Sequence, residues 1–295
     1  MAKFTNPLAA LWRALPFTGP GAPLVTVIDL AGVIGEAGGP GRKALSLKKV
    51  EKTLDEAFKP GKLAAVALAI NSPGGSPVQS RLIMSAIRRH AAEKDVPVLA
   101  FIEDVGASGG YILALAGDEI YADESSIVGS IGVIAGGFGF HDAIGRLGVE
   151  RRVHTAGENK SMLDPFQPED PEDVKRLEII LDELHAQFKA LVRERRTGKL
   201  ADDEELFSGA VWTGPAAKQR GLIDEIAQLD DFLRDRFGKD VKVKRISPDS
   251  GSLLKKLLSG GDARAVAFEQ PLSLVDTDDF IAAAERRALW ARYGL

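Results

Sequence analysis

Three apolar runs of strand length constrain this chain more than any other feature. They are Leu24–Leu30 (LVTVIDL), Leu63–Asn71 (LAAVALAIN) and Val96–Glu103 (VPVLAFIE). A strand that is apolar at almost every position has to be covered on both faces, which is the situation of a parallel sheet between helices. The segments between the runs supply those helices: Leu47–Ala57, with Ser46 as a possible N-cap, then Gln79–Glu93, then Ser108–Ala116. The order predicts an α/β fold of stacked βαβ units with right-handed crossovers. Short strands are expected at Glu119–Ala122 and Ile131–Ile134. Val174, Leu177, Ile180, Leu181, Leu184, Phe188, Leu191 and Val192 recur at helical spacing, so Asp173–Arg195 reads as a long amphipathic helix. Trp212–Ile226 reads as a turn, a short helix and a strand. Beyond Ala227 a helix, a strand at Val241–Ile246, a loop rich in Gly, Ser and Asp near 248–263 and a last helix at 278–291 are expected.

Composition removes several classes of function. The 295 residues are 45% hydrophobic and 27% charged, enough for a sizeable core. The net charge of -4 and the lack of a basic run give no reason to expect nucleic acid as a partner. With no cysteine there is no disulfide, thiolate ligand or cysteine nucleophile. No apolar run reaches the roughly 18 residues of a membrane span, and the N-terminal stretch lacks the long apolar region of a signal peptide. That stretch places Leu8, Leu11, Trp12 and Leu15 on one side of a helix. It is expected to dock on the domain or a partner chain, with peripheral membrane contact through residues 4–17 as the alternative. The Pro/Gly-rich Pro16–Pro23 follows as a linker.

Two glycine-rich turns stand at the carboxyl ends of apolar strands: Asn71-Ser72-Pro73-Gly74-Gly75 and Gly106-Ala107-Ser108-Gly109-Gly110. Ligands bind outside the carboxyl ends of strands in open parallel sheets. Both turns lead into helices, whose first N–H groups lack intrahelical partners and suit a developing oxyanion. Ser108 is open to two readings, an N-cap serine or a nucleophile held in a strand-to-helix turn. GASGG fits the G-x-S-x-G elbow, but that fold needs a histidine late in the chain. His90, His141, His154 and His185 all lie earlier than that, and each reads as surface or structural. A lysine can replace histidine as base, provided burial or neighbours lower its pKa from about 10.4 towards neutrality.

The ordered set INSPGG, GASGGY, VGSIGV and AGENKS resembles the signal peptide peptidase A family of bacterial serine proteases, over about Val25 to Ile226. The resemblance implies a Clp-protease/crotonase-like fold and a Ser–Lys dyad. Carried over by motif, Ser108 is the nucleophile and Lys160 the general base. Ser130 hydrogen-bonds and orients the lysine amine, and the N–H groups of Gly75 and Gly109 form the oxyanion hole. No cofactor or metal is implied. Substrates would be apolar or unfolded peptides such as remnant signal peptides, with Ile134–Phe140 a candidate groove wall. A homo-oligomeric ring, for this length an octamer, is implied, with the long helix and the C-terminal segment as contacts. The peptidase domain would span 24–227, after an arm and linker at 1–23 and before an extension at 228–295 packed on it or on a neighbouring subunit. Family members typically carry a membrane anchor; here only the arm is seen, so a cytoplasmic or peripheral inner-membrane location is expected. The rival readings are a crotonase-type acyl-CoA enzyme, a non-catalytic ring scaffold and, third, an α/β-hydrolase esterase.

Overall fold

The computed structural model describes residues 21–35 and 44–248. The N-terminal arm, the loop near 248–263 and the last helix lie outside the described residues. The elements in chain order are β1 (Leu24–Ala31), α1 (Leu47–Phe58), β2 (Leu63–Ser72), α2 (Pro77–Lys94), β3 (Val98–Ala107), α3 (Gly109–Ala114), β4 (Glu119–Ala122) and β5 (Ile127–Gly129). They continue with α4 (His141–Arg146), α5 (Pro171–Arg195), a 3-10 turn (Glu204–Phe207), β6 (Val211–Thr213), α6 (Gly214–Gln219), β7 (Glu225–Ile226), α7 (Leu229–Phe237) and β8 (Lys242–Ile246).

The sheet runs β6-β5-β3-β2-β1-β8. Every pairing is parallel except β5 with β6. Strand β3 forks. Leu99–Ile102 pair with β4, while Val105–Ala107 pair with β5. The fork leaves the carboxyl end of β3, where the chain turns at Ser108, beside both β2 and β5.

Alternation along the strands separates two cores. Ile28, Leu30, Val66, Leu68, Ile70, Ala100 and Ile102 face α1, α2, α3 and the end of α5. Val25, Val27, Ala67, Leu99, Phe101 and Tyr121 face the opposite side and pack with Leu229 and Leu233 of α7. This is why the three runs are apolar at almost every position: each strand is buried on both faces. Residues 229–246 add to this same sheet and core, α7 as its cover and β8 as an edge strand pairing in parallel with β1.

Expected and observed elements agree within a few residues, with one displacement. The expected strand at Ile131–Ile134 forms at Ile127–Gly129 instead. Gly129 (φ 113°) and Ser130 (φ 51°) take left-handed conformations that end the strand before the apolar residues are reached. Ser46 does occupy the N-cap of α1, but its side chain makes no capping hydrogen bond.

Candidate active site

Ser108 stands between β3 and α3 with φ 53° and ψ -120°, a conformation uncommon for any residue with a Cβ. Such strain persists only where the surroundings fix it, and it gathers at functional sites. Here the Ser108 N–H donates to the Gly129 carbonyl at 2.8 Å, and the Ser108 carbonyl accepts from Tyr111 and Ile112 at 3.0 and 3.1 Å. Every residue of α3 is buried. Its Tyr111 hydroxyl donates to the Leu222 carbonyl at 2.7 Å, and burial pushes that phenol well above its usual range, so it stays a donor. Arg195 of α5 holds the other end of α3, donating to the carbonyls of Leu115 and Gly117 at 2.8 and 3.0 Å. The nucleophile candidate therefore sits on a short helix fixed at both ends.

The two glycine turns touch. A Cβ added to Gly109 would lie 2.4 Å from Ser80 Oγ and 3.3 Å from the Gly75 nitrogen, and one on Gly75 would lie 2.0 Å from the Ile34 carbonyl oxygen. Only glycine permits this approach. Ile34 holds the Gly75 turn from both sides: its N–H donates to the Gly74 carbonyl and its own carbonyl accepts from Ser76 N–H, both at 2.8 Å. The N–H groups of Gly75 and Gly109 donate to no group among the described residues. Two free donors thus converge beside Ser108.

A cavity of about 450 Å³ opens over this point, lined by Gly75, Ser108, Gly109 and Ser130 among others. Four of the five expected site residues therefore meet at one place. Ser130 also has left-handed φ (51°), and its N–H donates to the Ala210 carbonyl at 2.7 Å. Lys160 is elsewhere. It lies in an exposed turn, its N–H donating to the Gly157 carbonyl at 3.2 Å, and it is not among the cavity's lining residues. Of the segment expected to wall the groove, Ile134 lines the cavity; Phe138 is 63% exposed and contacts Phe140 instead.

Two residues near the site carry no motif. His185, on α5, hydrogen-bonds the Ile131 carbonyl through Nε2 at 3.0 Å and so holds the chain just after Ser130. It is structural, as its sequence context indicates, but its contact is with the site loop. Arg81, on α2, lines the cavity. Its only local signal is that it follows the SPGG turn by a few residues.

The matched family is a peptidase family. The model of peptidase family S49 matches residues 90–244, more than half of the chain, including Ser108, Gly109, Ser130 and Lys160. The chain belongs to peptidase family S49. That membership agrees with the resemblance of its motifs to the signal peptide peptidase A family. It is 50% identical over 272 residues to a Brucella melitensis protein named Na(+)/H(+) antiporter NhaA, covering 92% of this chain and 37% of that protein. It is 30% identical over 197 residues to a putative signal peptide peptidase SppA of Enterococcus faecium, covering 67% of this chain and 55% of that one. The S49 chain thus spans well under two thirds of both relatives. Among solved structures, a mutant of the 1510-N membrane-bound stomatin-specific protease, in complex with a substrate peptide, matches at 17% identity and a TM-score of 0.47, over 81% of this chain and 99% of that one. No helix among the described residues is long and apolar enough to cross a membrane.

Proposed function

We propose that the chain is a serine endopeptidase acting through an acyl-enzyme on Ser108, with Lys160 as general base. The observation that carries this is the convergence of the unpaired Gly75 and Gly109 N–H groups beside a serine held in a strained turn. In this mechanism the neutral Lys160 amine takes the Ser108 hydroxyl proton as Oγ attacks the scissile carbonyl carbon. The two N–H groups stabilise the oxyanion, each contributing about 3 kcal/mol. The C–N bond breaks as Lys160 protonates the leaving amine, and water then releases the acyl group from Ser108. Ser130 orients the amine from the cavity wall.

Lys160 has to reach the cavity from a turn that stands apart from it. Exposed apolar residues in the segments that flank that turn in the chain support delivery by a neighbouring copy. Ile134, Phe138, Leu147 and Val149 are more than half exposed, and on α5 Ile179 and Ile180 are 59% and 45% exposed. Only Phe188, Leu191 and Val192 of the apolar stripe on α5 are buried. Exposed apolar residues of this kind, on the segment before the lysine turn and on the helix after it, are what an oligomer would cover. The substrates are apolar or unfolded peptides, in keeping with Ile112, Phe188 and Leu191 along the cavity.

Turnover of an unfolded apolar peptide by Ser108→Ala, by Lys160→Ala and by a variant with all four histidines replaced tests the proposal. Ser108→Ala and Lys160→Ala each lose at least about 1000-fold. The histidine-free variant keeps turnover, reduced at most by the lost His185 contact. Full activity in Ser108→Ala would end the reading.

A further inference from the structure

Among the described residues, Arg81 is the one charged side chain lining the cavity at Ser108. The lining also includes the apolar side chains of Ile112, Ile134, Leu184, Phe188 and Leu191. Arg81 is itself exposed, so its guanidinium stays hydrated on the solvent side of the cavity, open to a charged group of an entering substrate. Among the described residues its one hydrogen-bond partner is neutral. Arg81 Nη1 donates to Gln187 Oε1 at 3.2 Å, across the gap between α2 and α5. Among the described residues Arg81 pairs with no carboxylate, whereas Arg88, Arg176 and Arg236 pair with Asp118, Asp173 and Glu119. A guanidinium has five donor hydrogens in a planar fork, and Gln187 occupies one.

Its position relative to the reacting centre is set by helix α2. The residue before it, Ser80, lies against Gly109, since a Cβ there would come within 2.4 Å of Ser80 Oγ. Ser80 is itself fixed by donating to the Ser76 carbonyl at 2.8 Å. The side chain of Arg81 therefore starts one residue from the oxyanion turn and spans the same cavity that a substrate must enter.

We propose that Arg81 is a specificity residue that binds a carboxylate of the substrate, either the free C-terminus of a short peptide or an acidic side chain near the scissile bond. The inference rests on the peptidase reading and adds to it a substrate class: apolar peptides bearing one negative charge at a fixed distance from the cleaved bond. Gln187 pre-orients the fork, and the carboxylate takes its remaining donors in a charge-assisted, bidentate contact.

The test uses the whole chain and three versions of one apolar peptide: free acid, C-terminal amide, and amide with an internal Glu. Wild type should favour a carboxylate-bearing version over the plain amide by about tenfold in kcat/KM at low salt, less at high salt. Comparison of the free acid with the Glu peptide identifies the source of the carboxylate. In Arg81→Gln the preference should fall to about one. Arg81→Lys should retain part of it, and Arg81→Glu should transfer it to a lysine-bearing peptide, which loss of helix packing could not do. Equal kcat/KM for all three peptides in wild type, or a preference unchanged in Arg81→Gln, overturns the proposal. If wild type cleaves none of them, the peptidase reading has failed instead. Peptide binding to Ser108→Ala, with and without Arg81→Gln, then decides the carboxylate preference by fluorescence anisotropy.

Discussion

At Gly75 one missing side chain serves two ends. It lets Ile34 bridge the turn, and it leaves an N–H without a partner among the described residues, which the proposed mechanism uses for the oxyanion. Gly75→Ala would put a Cβ 2.0 Å from the Ile34 carbonyl oxygen at φ 139°, so the backbone has to move. The expected outcome is a fall in kcat of about 100-fold or more, with KM changed much less, read from steady-state kinetics. A KM effect alone would mean that the turn only binds substrate. At this scale the glycines and Ser108 were legible, because a glycine pair at the end of an apolar strand marks a place where two stretches of backbone, or backbone and ligand, come close. Lys160 was not legible from its surroundings in the chain and rests on the AGENKS motif. Arg81 was not legible at all: one basic residue among 38 carries no local mark, and its meaning comes from α5 crossing in front of it.

Helix α5 ties the peptidase elements together. At its end Arg196, 2% exposed, forms an ion pair with Asp224 at 2.8 Å and donates to the Gly221 carbonyl at 2.8 Å. Asp224 also accepts from the Ile120 N–H, which joins α5 to β4. Burial alone would raise the Asp224 carboxyl, but the Arg196 charge and the donors from Arg196, Lys199 and Ile120 outweigh it and hold it below its ordinary value of 3.8. A depressed carboxyl contributes stability that is present above its unfolded pKa and lost as pH falls through the folded one. Asp224→Asn strands a buried guanidinium and should cost about 3–5 kcal/mol at pH 7 by urea unfolding. It should also flatten the loss of stability below about pH 4; an unchanged acid limb would locate the acid sensitivity elsewhere. Element types and most boundaries could be read from periodicity, because burial on both sheet faces leaves so clear a trace. The strand near residue 130 could not. Its apolar residues Ile131, Val133 and Ile134 suggest a strand, yet two left-handed residues before them turn the chain along the cavity.

In the whole molecule, the edge strand β8 returns the chain to β1, so the sheet is completed by residues far from the motifs. That pairing had no sequence signature beyond the strand itself, since an edge strand need be apolar on one face only. The uncovered apolar residues in the segment before Lys160 and on α5 carry the prediction at this scale. If a neighbouring copy supplies the lysine, Ser108→Ala and Lys160→Ala are each inactive, and co-assembled mixtures regain up to about a quarter of wild-type turnover at mixed junctions. No recovery in a verified mixed assembly would place both groups within one chain. The central claim is a covalent one: the acyl group of the substrate resides on Ser108 during turnover. Rapid acid quenching with an apolar peptide ester, followed by intact-mass and peptide-level mass spectrometry, reads it directly. The account predicts a mass increase equal to the acyl fragment, confined to the peptide containing Ser108 and absent in Ser108→Ala. An acyl group on any other residue, or turnover in Ser108→Ala at the wild-type rate, would contradict it.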